Sequence, residues 1–141
     1  MLITCTRRIE FDAAHRVREH EHKCALLHGH RYVAEVTFSA KSLDKLGRVI
    51  DFGVVRSVLQ EWIDTNWDHN TVLHVKDRAL GEAIAKETKQ KIYYLPVNPT
   101  AENMAQYLFE KVCPKLFKKH AVTCEAVRLY ETPNCYAEVR H

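Results

Sequence analysis

The sequence predicts an α+β domain, an antiparallel sheet with helices on one face. Three observations lead there. Two N-terminal stretches alternate apolar and polar residues at period two. Helical stripes occupy the middle of the chain and its last third. Two further alternating stretches, joined by a Thr-Pro-Asn turn, close it.

Taken in order, residues 2–14 alternate in places, with Ile9, Phe11 and Ala13 on one side and His15 continuing that side. Residues 30–40 (HRYVAEVTFSA) place Tyr32, Ala34, Val36 and Phe38 on one face. These read as two antiparallel strands with an active loop between them. Gly47 marks a turn. Asp51 reads as the N-cap of a helix at about 52–65, with Val55, Val58, Leu59, Trp62 and Ile63 at helical spacing. Residues 79–88 suit a short second helix, and Ile92 to Leu95 a short strand stopped by Pro96. A third helix begins near Thr100: Pro99 suits its start, Met104, Leu108, Val112 and Leu116 make its stripe, and Pro114 bends or ends it. The last two strands fall at about 122–130 and 135–140. Neighbouring strands pair, so a four-stranded antiparallel sheet is expected, covered on one side, with open edges that must be managed.

A length of 141 residues suits one domain, 1–141, with a core of its own. Apolar residues at 46%, with four Gly and four Pro, exclude disordered and fibrous classes. The net charge is only +3 and the basic residues are scattered, which does not indicate a nucleic-acid surface but suits a small anionic substrate. No apolar stretch reaches the ~18 residues of a membrane span. The N-terminus alternates instead of carrying the apolar run of a secretory signal. Five cysteines, an odd number without C-x-x-C, then read as reduced thiols of a cytoplasmic protein. Most suit small buried fillers, and Cys24 is the candidate exception.

Cys24 opens the heptapeptide CALLHGH. On a strand His28 and His30 point to the same face, so both imidazoles can reach one ion, and Gly29 between them permits a close approach. His15, on the paired strand, can supply a third nitrogen. Three neutral imidazoles and one open position describe a catalytic zinc site, whereas a structural site is closed by four ligands. H-x-H alone is a weak signal among nine histidines; FDAAH and the upstream thiol strengthen it. His20 and His22, beside Glu19, Glu21 and Lys23, read as a solvated loop. Cys24 has two readings: a fourth ligand, or a thiolate of lowered pKa acting as base or nucleophile. Asp68 and His69 are adjacent, and a carboxylate there can orient and activate the imidazole, although such a pair read alone is more often a cap or turn. Glu131 ends a strand. It can accept two parallel hydrogen bonds from the amidine-like edge of a guanine or pterin ring, or be a plain surface glutamate.

Six motifs in order, FDAAH (11–15), CALLHGH (24–30), VIDF (49–52), DHN (68–70), PTAEN (99–103) and ETPN (131–134), resemble the 6-pyruvoyl- and 6-carboxy-tetrahydropterin synthase family over nearly the whole chain. The resemblance implies a tunnelling fold: a four-stranded antiparallel sheet with two main helices on one face. Subunits join their sheets into a barrel, typically a hexamer of two stacked trimers, with sites between subunits. It implies zinc on His15, His28 and His30, Cys24 as the proton-abstracting thiolate, and Asp68 and His69 as its relay. It also implies Glu131 as the ring anchor with Thr132 beside it, and Thr100 and Glu102 near the pterin pocket. Thr100 equally suits a helix cap. The three residues between Cys24 and His28 resemble the bacterial carboxy-forming branch of queuosine and 7-deazapurine synthesis; pyruvoyl-forming members usually have a longer gap. The implied reaction converts 7,8-dihydroneopterin triphosphate to 6-carboxy-5,6,7,8-tetrahydropterin, acetaldehyde and triphosphate. The segment between Asn70 and Pro99 is longer than in compact members, which is consistent with an extra short helix.

Overall fold

A computed structural model describes residues 1–141. The first strand, β1 (Thr4–His15), pairs antiparallel with β2 (His28–Ser39), in a register that sets His15 opposite His28 and Phe11 opposite Tyr32. After a loop comes helix α1 (Phe52–Asn66), capped by Asp51, whose carboxylate accepts the Gly53 N–H at 2.7 Å. Next are β3 (Asn70–His74), α2 (Arg78–Thr88) and β4 (Ile92–Leu95). The third helical run starts with α3 (Ala101–Tyr107), loosens into a π-helical stretch (Leu108–Val112), and ends as α4 (Cys113–Leu116). Pro114 sits in the first turn of α4, where its missing N–H is tolerated, so the run continues to Leu116. A closing hairpin pairs β5 (Thr123–Thr132) with β6 (Cys135–Arg140).

The sheet corrects the sequence expectation. It has six strands in the order β4-β3-β1-β2-β5-β6 and is mixed: β1–β3 and β3–β4 pair parallel, and the other pairs are antiparallel. The unforeseen strand is β3, in which Thr71, Val72 and Leu73 are all buried. A strand buried on both faces does not alternate, so no period-two signal marks it.

Nor do the helices share one face. Ile9, Phe11, Tyr32, Val36, Val127 and Leu129 form the core with Val55, Leu59 and Ile63 of α1 and Met104 and Leu108 of the third run. Tyr93 faces that side, its ring near Trp62, Trp67 and Tyr107. Its neighbour Tyr94 points the other way, under the Arg78 guanidinium 4.2 Å above its ring. A Cβ on Gly81 would come within 2.8 Å of the Tyr94 ring, so only glycine lets α2 lie this close. Thus α2, at the place of the expected short second helix, covers β3 and β4 from the opposite face.

The chain leaving β1 is fastened by Asp77. Its buried carboxylate accepts from Arg16 Nη2 at 2.7 Å and Nε at 2.9 Å, and from Arg18 Nη1 at 3.0 Å. Asn98 adds a reciprocal pair of bonds to the Arg18 backbone. The Arg16 bond chiefly, against some burial, holds the Asp77 carboxyl below the usual carboxylate range. This stabilisation is therefore complete above the unfolded-state value of about 3.9 and is lost as pH falls through the lower folded value. Because both guanidiniums are partly solvated, Asp77→Ala is expected to cost about 2 kcal/mol in urea unfolding at pH 7. The difference from wild type should shrink in acid; a loss that does not depend on pH would contradict the ion-pair account.

Candidate metal centre and a separate carboxylate–imidazole pair

The register of β1 and β2 carries His15 to the place predicted for it. His15 continues the buried row of β1, and His28 and His30 continue the Tyr32 row of β2, so the three imidazoles meet on the core face at one end of the sheet. Each offers a ligand nitrogen within 4.8 Å of the others.

Their outer nitrogens fix their tautomers. His15 Nδ1 lies 2.6 Å from the Pro99 carbonyl and His28 Nδ1 lies 2.7 Å from the Leu26 carbonyl. A carbonyl only accepts, so both Nδ1 atoms carry the proton and both Nε2 atoms are bare lone pairs. Those two Nε2 atoms nevertheless stand 3.2 Å apart with no proton to share. The third, His30 Nε2, is buried with no partner. Two bare lone pairs and an unpartnered third nitrogen converging in this way suit a cation between them. Two nitrogens each 2.0–2.1 Å from a tetrahedral zinc would be about 3.3 Å apart, so the donor set fits zinc. Burial, with smaller help from the neighbouring rings, pushes the His15 imidazole down to about 4, and burial lowers His30 too. His15 is therefore neutral at pH 7, as a ligand must be. The Glu131 carboxylate lies 3.9 Å from both His15 Nε2 and His30 Nε2. With His15 neutral, this is a carboxylate beside the nitrogen cluster and not an ion pair with it.

Residues 4–141 match the family described as 6-pyruvoyl tetrahydropterin synthase. The chain belongs to that family. It is 52% identical to a Rickettsia conorii protein named 6-carboxy-5,6,7,8-tetrahydropterin synthase, over 98% of this chain and 100% of that one. A Haemophilus influenzae protein of the same name is 29% identical over 94% of this chain and 95% of its own length. Among solved structures, an uncharacterized protein from Wolinella succinogenes superposes with TM-score 0.83 at 19% identity, covering 100% of this chain and 99% of that one. The Caenorhabditis elegans 6-pyruvoyl tetrahydropterin synthase does so at 0.69 and 24%, covering 100% and 96%. These two likenesses show the fold.

In this member of the 6-pyruvoyl tetrahydropterin synthase family, the other predicted residues divide. Cys24 lies half-buried in a short 3-10 turn (Lys23–Ala25), and its sulfur is not part of the three-nitrogen cluster. Thr100 is the N-cap of α3, accepting the Asn103 N–H at 3.1 Å, and Thr132 accepts the Asn134 N–H in the β5–β6 turn at 3.2 Å. Both hydroxyls have structural bonds to make. Glu102 shares a cavity of about 220 Å³ with Glu131, Tyr136 and Cys135. His20 and His22 lie in the loop between β1 and β2, outside the cluster.

Asp68 and His69 are bonded to each other, His69 Nδ1 donating to Asp68 Oδ2 at 2.9 Å, but apart from the metal centre. Asp68 Oδ1 accepts the Asp12 N–H at 2.9 Å, and the His69 N–H donates to the Asp12 carbonyl at 2.6 Å. Asp12 itself pairs with Arg31 at 3.0 Å. Asp12 and Arg31 belong to the strand rows opposite His15 and His30, so this pair opens onto the other face of the sheet. There His69 shares a cavity of about 420 Å³ with Asp12, Arg31 and Gln90, and His30 also borders it. Sequence reasoning missed Asp12, although it lies inside FDAAH, and missed Arg31 and Gln90, which no local motif marks. The hydrogen bond to Asp68 raises the His69 imidazole above its ordinary 6.5. Burial opposes ionisation of Asp68, yet the Asp12 N–H and the His69 ring hold its carboxyl below the usual range. NMR titration of the His69 ring should therefore give a midpoint above 6.5, and Asp68→Asn should lower it; an unchanged midpoint would mean that the pair is not formed in solution.

Proposed function

We propose that this protein is a zinc-dependent 6-carboxy-5,6,7,8-tetrahydropterin synthase of queuosine and 7-deazapurine synthesis. Its substrate would be 7,8-dihydroneopterin triphosphate, and its products the carboxypterin, acetaldehyde and triphosphate. The observation that carries this reading is the convergence of three Nε2 atoms, two of them locked bare by carbonyls, in a member of this family. The name of the Rickettsia relative, at 52% identity, favours the carboxy-forming branch.

His15, His28 and His30 would hold the zinc. Bound there, zinc supplies Lewis-acid polarisation of the substrate's side-chain hydroxyl oxygens. Cys24, free of the cluster, takes the carbon-bound proton as thiolate. Glu131 grips the amidine edge of the ring and, standing beside the nitrogens, sets the distance from ring to metal. Glu102, in the same cavity, lies at the pterin pocket. The Asp68–His69 pair, with its raised imidazole pKa, carries protons to and from the reacting centre. Because that pair opens on the sheet face away from the histidines, a second copy of the chain completes the site. Pairing between the edge strands β4 and β6 would close the sheets into a barrel and assemble a homo-oligomer such as a hexamer.

Anaerobic incubation of zinc-loaded protein with 7,8-dihydroneopterin triphosphate should yield a 6-carboxy product and acetaldehyde by mass spectrometry. A 6-pyruvoyl product would place the chain in the other branch. Cys24→Ala is expected to lower turnover at least about a hundredfold with zinc content unchanged; if zinc leaves with the thiol, Cys24 is a ligand. For Glu131→Gln, KM should rise about tenfold or more while zinc stays bound. Unchanged KM would remove Glu131 from ring recognition.

A further inference from the structure

The turn that carries Asp68 and His69 is held from outside by residues of the long segment between Asn70 and Pro99. His69 has a left-handed backbone, φ 59°, a conformation uncommon for residues other than glycine and held here by bonds on three sides. Its N–H is taken by Asp12 and its ring by Asp68. Its carbonyl accepts from Gln90 Nε2 at 2.9 Å. Gln90 is itself pinned: its Oε1 accepts the hydroxyl of buried Thr71, and its N–H donates to Thr88 Oγ1 at 3.1 Å. The next residue continues the strap. Lys91 Nζ donates to the Thr65 carbonyl and to Asn66 Oδ1, both at 3.1 Å, at the C-terminus of α1. α2 delivers both residues by ending at Lys89, which also has a left-handed backbone, φ 62°.

We propose that Gln90, backed by Lys91, is a positioning residue for the Asp68–His69 pair: it locks the His69 backbone in the conformation that turns the imidazole onto Asp68 and into the cavity both residues line. This gives the extra α2 segment a task in the reaction, and it rests on the relay role assigned above to Asp68 and His69. The geometry separates it from plain packing. Gln90 touches the carbonyl of His69, not its ring, so its loss should misplace the imidazole without removing a substrate contact.

Two variants test it in the zinc-loaded protein. Gln90→Ala removes both side-chain bonds of Gln90, to the His69 carbonyl and from the Thr71 hydroxyl, and leaves those of Lys91. Gln90→Glu keeps an oxygen for the Thr71 hydroxyl but sets a carboxylate oxygen against the His69 carbonyl, which guards against a variant that merely unfolds. Both should lower kcat about tenfold, leave KM within about twofold, and shift the His69 ring resonances, identified by their absence in His69→Ala. Wild-type kcat in both variants would overturn the proposal. So would a rise in KM at constant kcat, which makes Gln90 a substrate contact, or lost kcat with unmoved His69 resonances. His69→Ala separates the two levels: wild-type turnover in it contradicts the relay itself, whereas an inactive His69→Ala beside fully active Gln90 variants contradicts only the positioning role.

Discussion

Two backbone carbonyls decide what the histidines can do. Pro99 and Leu26 each take the Nδ1 proton of one imidazole, and this leaves bare nitrogens facing each other at 3.2 Å. Without a cation the arrangement is repulsive, and with one it is a preformed ligand set. The rest of the fold maintains those two contacts. The β1–β2 register sets His15 against His28. The reciprocal Asn98–Arg18 bonds and the Asp77 carboxylate bring the loop before Pro99 up to the end of β1.

The sheet also divides the chemistry. Period-two alternation sends one row of β1 side chains to the core and the three-histidine cluster, and the other row, with Asp12, to the opposite face. There Asp12 organises the Asp68–His69 pair mainly through its backbone. One strand thus supports two clusters of titratable side chains on opposite faces of the sheet, His15 with His28 and His30 on one and Asp12 with Asp68 and His69 on the other. The homo-oligomer proposed above would bring the two together, and it would also occupy the edges left open at β4 and β6.

Features written in local periodicity were legible in the sequence. The alternation of Ile9, Phe11, Ala13 and His15 located the buried row that ends at His15, and the helical stripe from Val55 to Ile63 located α1. Asp51 capped as expected, and the 79–88 helix and the closing hairpin lie within two residues of their predicted bounds. Features that depend on distant partners were not legible. β3 is buried on both faces and joins β1 by a long crossover, so neither its pattern nor its neighbours in sequence announce it. The face chosen by α2 turns on Gly81 meeting Tyr94. His15 finds its proton acceptor 84 residues away, and Asp77 finds Arg16 at a separation of 61. Thr100 could be read two ways, and its bond to Asn103 shows it capping a helix.

The central claim is that three imidazole nitrogens, and no sulfur, hold a catalytic metal. X-ray absorption at the zinc K-edge of the loaded protein tests it most directly. The account predicts a shell of nitrogen and oxygen scatterers at about 2.0–2.1 Å, three of them imidazole, with no sulfur. A sulfur scatterer at about 2.3 Å would contradict it, because the thiolate would then close the site and could not serve as the base.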